Sequence, residues 1–200
     1  MIALRLAATA LVAITLGGCS LGKPTPQPKT YVIEPPVAGQ PAKPYPQALQ
    51  IGKFRVAPEF SGRALVYRVD DVRYAADYYS AFLAEPQSLL AGRIADWLDR
   101  AGPFQTVIHP GSGLSASFVL DAVFTELYGD FRPGRAPSAV MTAHFTLVDL
   151  TGVTPRITLE KTIGRRIPLA GTTPDDLVRG YGIALGEILS ELTPQMSPKN

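Results

Sequence analysis

Phe118-Val119-Leu120-Asp121-Ala122-Val123-Phe124 puts Phe, Leu, Ala and Phe on one side of an extended chain and Val, Asp and Val on the other. Two further stretches repeat the pattern. Met141, Ala143, Phe145 and Leu147 alternate with Val140, Thr142, His144 and Thr146. Ile157, Leu159, Ile163 and Ile167 alternate with Thr158, Glu160, Thr162 and Arg166. A side-chain period of two with one apolar face is the mark of strands covered on a single side, so the three stretches read as an antiparallel meander.

The cover comes from two helical patterns. Pro86 to Ala101 carries Leu90, Ile94, Trp97, Leu98 and Ala101 at helical spacing, with a first-turn proline and Gly102-Pro103 as the stop. The closing helix opens at Thr173-Pro174-Asp175-Asp176, which supplies a cap, a proline and two carboxylates at the positive end of the helix dipole. Leu177, Tyr181, Leu185, Ile188 and Leu192 form its stripe, and Gly180, Gly182 and Gly186 imply close packing against a neighbour. Before the first helix, Leu49, Ile51, Phe54 and Val56 alternate around a bulge at Gly52-Lys53, and Ala64 to Arg68 is expected to pair with them as a hairpin. Val72-Arg73-Tyr74 adds a short extended piece, and Phe104 to Ile108 a short strand. The expected fold is α+β: one domain over residues 48–195, a mainly antiparallel, mixed sheet with two helices on one face, and a frayed tail at 196–200.

Toward the N-terminus the composition changes. Leu21 to Gln47 holds eight of the nineteen prolines, which favours an extended polyproline tether of about 3.1 Å per residue. Thr30-Tyr31-Val32-Ile33 within it has strand propensity, so a strand over 30–34 is an option. Arg5 precedes an uncharged run from Leu6 to Leu16, and Leu16-Gly17-Gly18-Cys19 sets small residues before the only cysteine. That run is much shorter than the roughly 20 residues a spanning helix needs, so residues 1–18 read as a cleaved lipoprotein signal peptide and residues 19–47 as a lipidated tether. Cys19 would carry diacylglyceryl and N-acyl (palmitate-type) groups, and several acyl chains on one residue give stable attachment. Ser20, in place of an aspartate, directs such a lipoprotein to the outer membrane, facing the periplasm.

Charge and chemistry narrow the function. The net charge of +2 falls to about +1 once Arg5 leaves with the leader, so no basic surface for nucleic acid is expected. At 46% apolar and 18% charged residues the chain can build a core. His109 and His144 are the two histidines, without HExxH spacing, and no second cysteine exists to complete a metal site. Gly111-Ser112-Gly113 beside His109 has turn composition and lacks the G-x-S-x-G elbow. Asp70-Asp71 is likewise turn chemistry. No enzyme, metal or cofactor is expected beyond the lipid on Cys19.

Three surfaces are candidates for contact. Tyr74, Tyr78, Tyr79 and Phe82 crowd four aromatics into a presumed loop and could form a lip that meets a partner protein or acyl chains. Arg132 and Arg135 flank a hairpin tip beside Phe131, available to a partner or to lipid headgroups. The second sheet face, with Val140 and Thr142 at its centre, is rich in β-branched residues and could be covered by another copy or by a partner, its centre lying outside the core.

The order of these pieces resembles a known family, the ABC-type transport auxiliary lipoproteins that include the paraquat-inducible PqiC-type proteins. The resemblance rests on Tyr31-Val32-Ile33 after the lipobox, Leu49-Gln50-Ile51-Gly52, and Phe54-Arg55-Val56-Ala57-Pro58. Val66-Tyr67-Arg68, the aromatic stretch before Glu85-Pro86, Val119-Leu120-Asp121-Ala122 and Ile167-Pro168-Leu169-Ala170-Gly171 complete it. It implies a non-catalytic periplasmic partner of a mammalian-cell-entry (MCE) type ABC system that moves lipid between inner and outer membranes and supports membrane integrity. The MCE-domain protein is the implied partner, and a homo-oligomer is a second, by analogy with a ring closing a tube. The alternative is a structural envelope lipoprotein that braces another complex without lipid traffic.

Overall fold

The computed structural model describes residues 27–36 and 45–196. Its element order is β1 (Lys29–Tyr31), β2 (Tyr45–Val56), β3 (Ala64–Arg68), β4 (Tyr74–Phe82), α1 (Pro86–Ala101), β5 (Phe104–Ile108), β6 (Phe118–Asp130), β7 (Ser138–Asp149), β8 (Arg156–Pro168) and α2 (Pro174–Leu192). Short 3-10 turns stand at Pro58–Phe60 and Thr193–Gln195. The eight strands form one mixed sheet and the domain is α+β, as the patterns above imply.

β6 is the spine. Its whole length pairs antiparallel with β7, from Phe118↔Asp149 to Asp130↔Ser138, and β7 pairs antiparallel with β8. This is the expected meander. The other edge of β6 is shared. Its first half takes β2 in parallel, from Leu49↔Phe118 to Val56↔Phe124, and its far end takes β3, at Tyr67↔Gly129 and Arg68↔Asp130. β5 lies outside β2; β4 and then β1 lie outside β3. The expected bulge in β2 falls between Ile51 and Phe54.

The expected hairpin of β2 with β3 does not form. The 3-10 turn at Pro58–Phe60 buries Phe60, and β3 then runs parallel to β6 so that its last residues, Tyr67 and Arg68, lie beside the far end of β6. One apolar core joins both helices to the sheet: Leu90, Ile94 and Leu98 of α1, Tyr181, Leu185 and Ile188 of α2, and Leu120, Phe124, Met141 and Phe145 of the strands. Among the described residues no helix is long and apolar enough to cross a membrane.

The domain extends beyond 48–195 at both ends. β2 starts at Tyr45, β1 joins the sheet in parallel with β4, and Ile33 is fully buried. Glu34 to Pro36 then crosses α2 as a strap. A Cβ on Gly182 would be driven into the Glu34 carbonyl oxygen, and one on Gly186 would sit 2.8 Å from Pro36. Glycine is required there because the Glu34 backbone lies against the helix at Gly182 and the Pro36 ring against it at Gly186. Glu34 also reaches α1, with its carboxylate 2.6 Å from the Arg93 guanidinium. The prolines that read as a tether are thus in part a packed strap. At the C-terminus, Met196, assigned above to the frayed tail, is wholly buried.

Candidate functional site

The candidate residues gather at one end of the domain. β4 is a strand, not a loop, but its alternation fails in the middle. Asp77 Oδ1 accepts from the Tyr79 and Ser80 N–H groups at 2.8 and 2.9 Å, and the β3–β4 register shifts between Val66↔Ala76 and Ala64↔Ala81. The resulting bulge turns Tyr78 and Tyr79 outward, 89% and 39% exposed, with their rings in an edge-to-face pair at 4.9 Å. Tyr67 donates to Asp77 Oδ2 at 2.7 Å and fixes the bulge from below. Burial opposes ionisation of Asp77, yet donation from Tyr67 and the two backbone N–H groups holds its carboxyl below the usual range. Burial, and after it the bond to Asp77, pushes the Tyr67 phenol well up.

Phe82 and Tyr74 are not part of an open lip. Phe82 is buried against Tyr181, because the strand has resumed its alternation by then. Tyr74 stays half exposed, packed edge-on to Tyr128 at 5.4 Å and to Phe60 at 5.9 Å. This same cluster overturns the reading of Val140 as a free surface. Val140 pairs with Tyr128 across the ladder and is 4% exposed, with Phe60 stacked on the Tyr128 ring at 5.6 Å. The chain covers that end of its own second face. Thr142, next along, is partly exposed and donates to Glu126 Oε2 at 2.5 Å.

The two arginines at the β6–β7 tip differ sharply. Arg132 is almost wholly buried, donating from Nε and Nη2 to Asp130 at 2.9 and 2.7 Å and from Nη1 to Asp71 at 2.8 Å. Arg166 adds a third charge-assisted bond to Asp130 at 2.7 Å. Donation from Arg132 first, then Arg166, outweighs burial and holds the Asp130 carboxyl far below the usual range. Arg132 is therefore a structural clamp between the hairpin tip and the β3–β4 turn. Arg135 is exposed. In that turn Asp70 accepts from the Val72 N–H, the Arg73 guanidinium and the Arg73 N–H, which bring its pKa down to about 2.

The chain leaves toward its N-terminus at this same end. β1 runs parallel to β4 with Lys29↔Ser80, so the first described residues, Gln27 and Pro28, lie on the Tyr79 side of that pair. Tyr31 donates to Asp175 at 3.5 Å and Lys29 lies 4.0 Å from it, which ties the exit to the first turn of α2. A shallow groove lined by Tyr67, Ala75, Asp77, Phe131 and Pro174 lies between these parts. Cys19 falls outside the described residues.

A family model described as the ABC-type transport auxiliary lipoprotein component matches residues 31–193. The chain belongs to this family. The match begins within β1, in agreement with the packing of Ile33 and the strap into the domain. Among solved structures, this auxiliary lipoprotein is similar to protein XCC0632 from Xanthomonas campestris, with 15% identity, a TM-score of 0.71, and 82% of this chain and 92% of that one covered. A second crystal structure, of an uncharacterized protein, is similar at 13% identity and a TM-score of 0.66, covering 86% of this chain and 99% of that one. At these identities the likeness is one of fold. No curated protein sequence matches.

The family is described as a transport component, and the residues that tempt a catalytic reading have local partners. Ser112 accepts from the Leu114 N–H at 3.4 Å, and Gly111 and Gly113 have φ of 83° and 70° on either side of it, as a turn requires. His144 bridges Thr162 and Glu160 on the open sheet face, at 2.9 and 3.2 Å. Two features escaped the sequence reading. One is the Asp71–Arg132–Asp130–Arg166 network, whose members are scattered over ninety-odd positions. The other is a group of exposed apolar side chains at the opposite end of β6: Leu114, Leu150, Val153 and Ile157.

Proposed function

We propose that this auxiliary lipoprotein is anchored by acylated Cys19 in the outer membrane, faces the periplasm, and serves as the non-catalytic end component of an MCE-linked ABC system that moves lipid between the two membranes. The observation that carries the reading is the family match over residues 31–193, joined to a lipobox ahead of it in the sequence. Contact with the MCE-domain protein, and with further copies of the chain, belongs to the same proposal. The partly open face around Thr142 and His144 offers a surface for either.

The test is cross-linking in intact envelope with the tagged, acylated chain, followed by mass spectrometry of the captured species. An MCE-domain protein as the principal cross-linked partner is the expected result. A mature N-terminus at a residue other than 19 would remove the anchor. Capture of an unrelated envelope assembly, with no MCE-domain protein, would favour the bracing reading instead.

A further inference from the structure

We infer that the anchor end of the domain, led by the Tyr78–Tyr79 bulge, rests directly on the lipid surface that holds Cys19. The inference deepens the function proposed above and rests on acylation of that residue. It follows from the length of chain between lipid and fold and from where that chain meets the domain.

Folding of Lys29 into the sheet shortens the leash. Residues 19 to 29 can span at most about 35 Å even when fully extended, whereas a tether reaching to residue 47 would have allowed several times that range. The leash joins the domain at the side of the bulge, since Lys29 is the residue opposite Ser80 in a parallel pair. The opposite end of the domain, with Leu114 and Val153, lies beyond Phe118, roughly 30 Å along β6 from the level of Lys29. The end carrying Tyr78 therefore never stands more than one leash length, ~35 Å, from the bilayer, whereas the other end can stand a further domain length away.

The side chains at that end suit an interface. Tyrosine places an apolar ring and a polar hydroxyl at headgroup depth, where the first is buried and the second stays hydrated. Tyr78 is exposed beyond what its own core needs, and Asp77 caps the bulge so that both rings are held outward before contact. The side chains of Lys29 and Arg73, 64% and 74% exposed, stand at the same end, each paired with a carboxylate, Asp175 and Asp70, and still open to solvent.

The experiment uses the full acylated chain reconstituted in vesicles of phosphatidylethanolamine with a minor share of phosphatidylglycerol. With Cys19 blocked by lipid, Tyr78→Cys and Val153→Cys each offer one thiol for an environment-sensitive fluorophore. Emission from Trp97, a buried core residue, reports that each variant is folded. Spin-labelled lipids with the label near the headgroup should quench the probe at 78 several-fold more than the probe at 153. Equal quenching at the two positions, or stronger quenching at 153, overturns the inference while leaving the anchor intact. A probe at 78 that ignores the lipid and shifts only when an MCE-domain protein is added assigns the bulge to that partner and equally overturns it. Mass spectrometry of the same sample checks the acyl groups, and their absence removes the anchor and this inference together.

Discussion

α1 and α2 both begin at a proline, both cover the same side of the sheet, and both carry glycine, yet they are held differently. α1 is buried along a single stripe, and Gly92 on its flank has no atom within 4 Å of where a Cβ would stand. Its cap residue Glu85 makes no side-chain capping bond. α2 is buried on two sides, by the sheet and by the strap, and Gly182 faces the Glu34 backbone while Gly186 faces the Pro36 ring. Its first turn is closed by a reciprocal capping box between Thr173 and Asp176. The same residue type is thus a cost of propensity in one helix and a condition of packing in the other. Only the neighbour decides which.

Substitutions sharpen this contrast. The largest effect is expected at the strap itself. Ile33→Ala empties a fully buried site and should cost about 2–4 kcal/mol in denaturant unfolding. A loss under about 1 kcal/mol, in the range of an ordinary surface change, would show the strap detachable and α2 no better covered than α1. Gly182→Ala comes next. Helix propensity would return about 1 kcal/mol, but overpacking against a carbonyl costs about 1–3 kcal/mol, so a net loss of up to ~2 kcal/mol is expected. A net gain would mean that the strap yields.

The caps give the third test. Thr173→Ala should cost about 1 kcal/mol, while Glu85→Ala at the corresponding position of α1 should change stability little, because no capping bond is lost. Fourth, Gly92→Ala should stabilise by about 0.8–1 kcal/mol, the opposite sign to Gly182→Ala. The smallest effect is one of pH. Donation from the Thr173 hydroxyl first, and from its backbone N–H, holds the Asp176 carboxyl below its ordinary value. A depressed folded pKa stabilises above the unfolded value of about 4 and is lost as pH falls through the folded one. Amide protection factors in the first turn of α2, taken against the intrinsic exchange rate at each pH, should therefore fall selectively in acid. The first turn of α1, with no acidic residue, should not follow it.

How much of this could be read in advance depends on how local the signal is. The β6–β8 meander, both helix starts and the β2 bulge were legible because alternation, caps and first-turn prolines act within a few residues. The pairing of β3 was not, since it depends on β6 being long enough to serve two partners on one edge. β4 was hidden because the Asp77 bulge sends two consecutive tyrosines outward and so erases the alternation. Val140 looked free because the Tyr128 that pairs with it carries the Phe60 ring, which comes from far earlier in the chain. Arg132 and Arg135 were indistinguishable by type, and only the placement of Asp130 and Asp71 separates a clamp from an exposed cation. The strap had one legible trace: Gly182 and Gly186 stand four apart on one helix face, where a closely approaching backbone is needed.

The parallel placement of β1 beside β4 has a mechanical consequence. Under the anchoring proposed above, a pull directed along β1 enters the sheet at Lys29. It therefore loads the β1–β4 pairs in shear, all together, rather than peeling them one by one. Behind them stands a catch: Ile33 seated in the core, the Glu34 carbonyl lodged at Gly182, and the Glu34 carboxylate paired with Arg93. Force on the leash is handed to both helices at once.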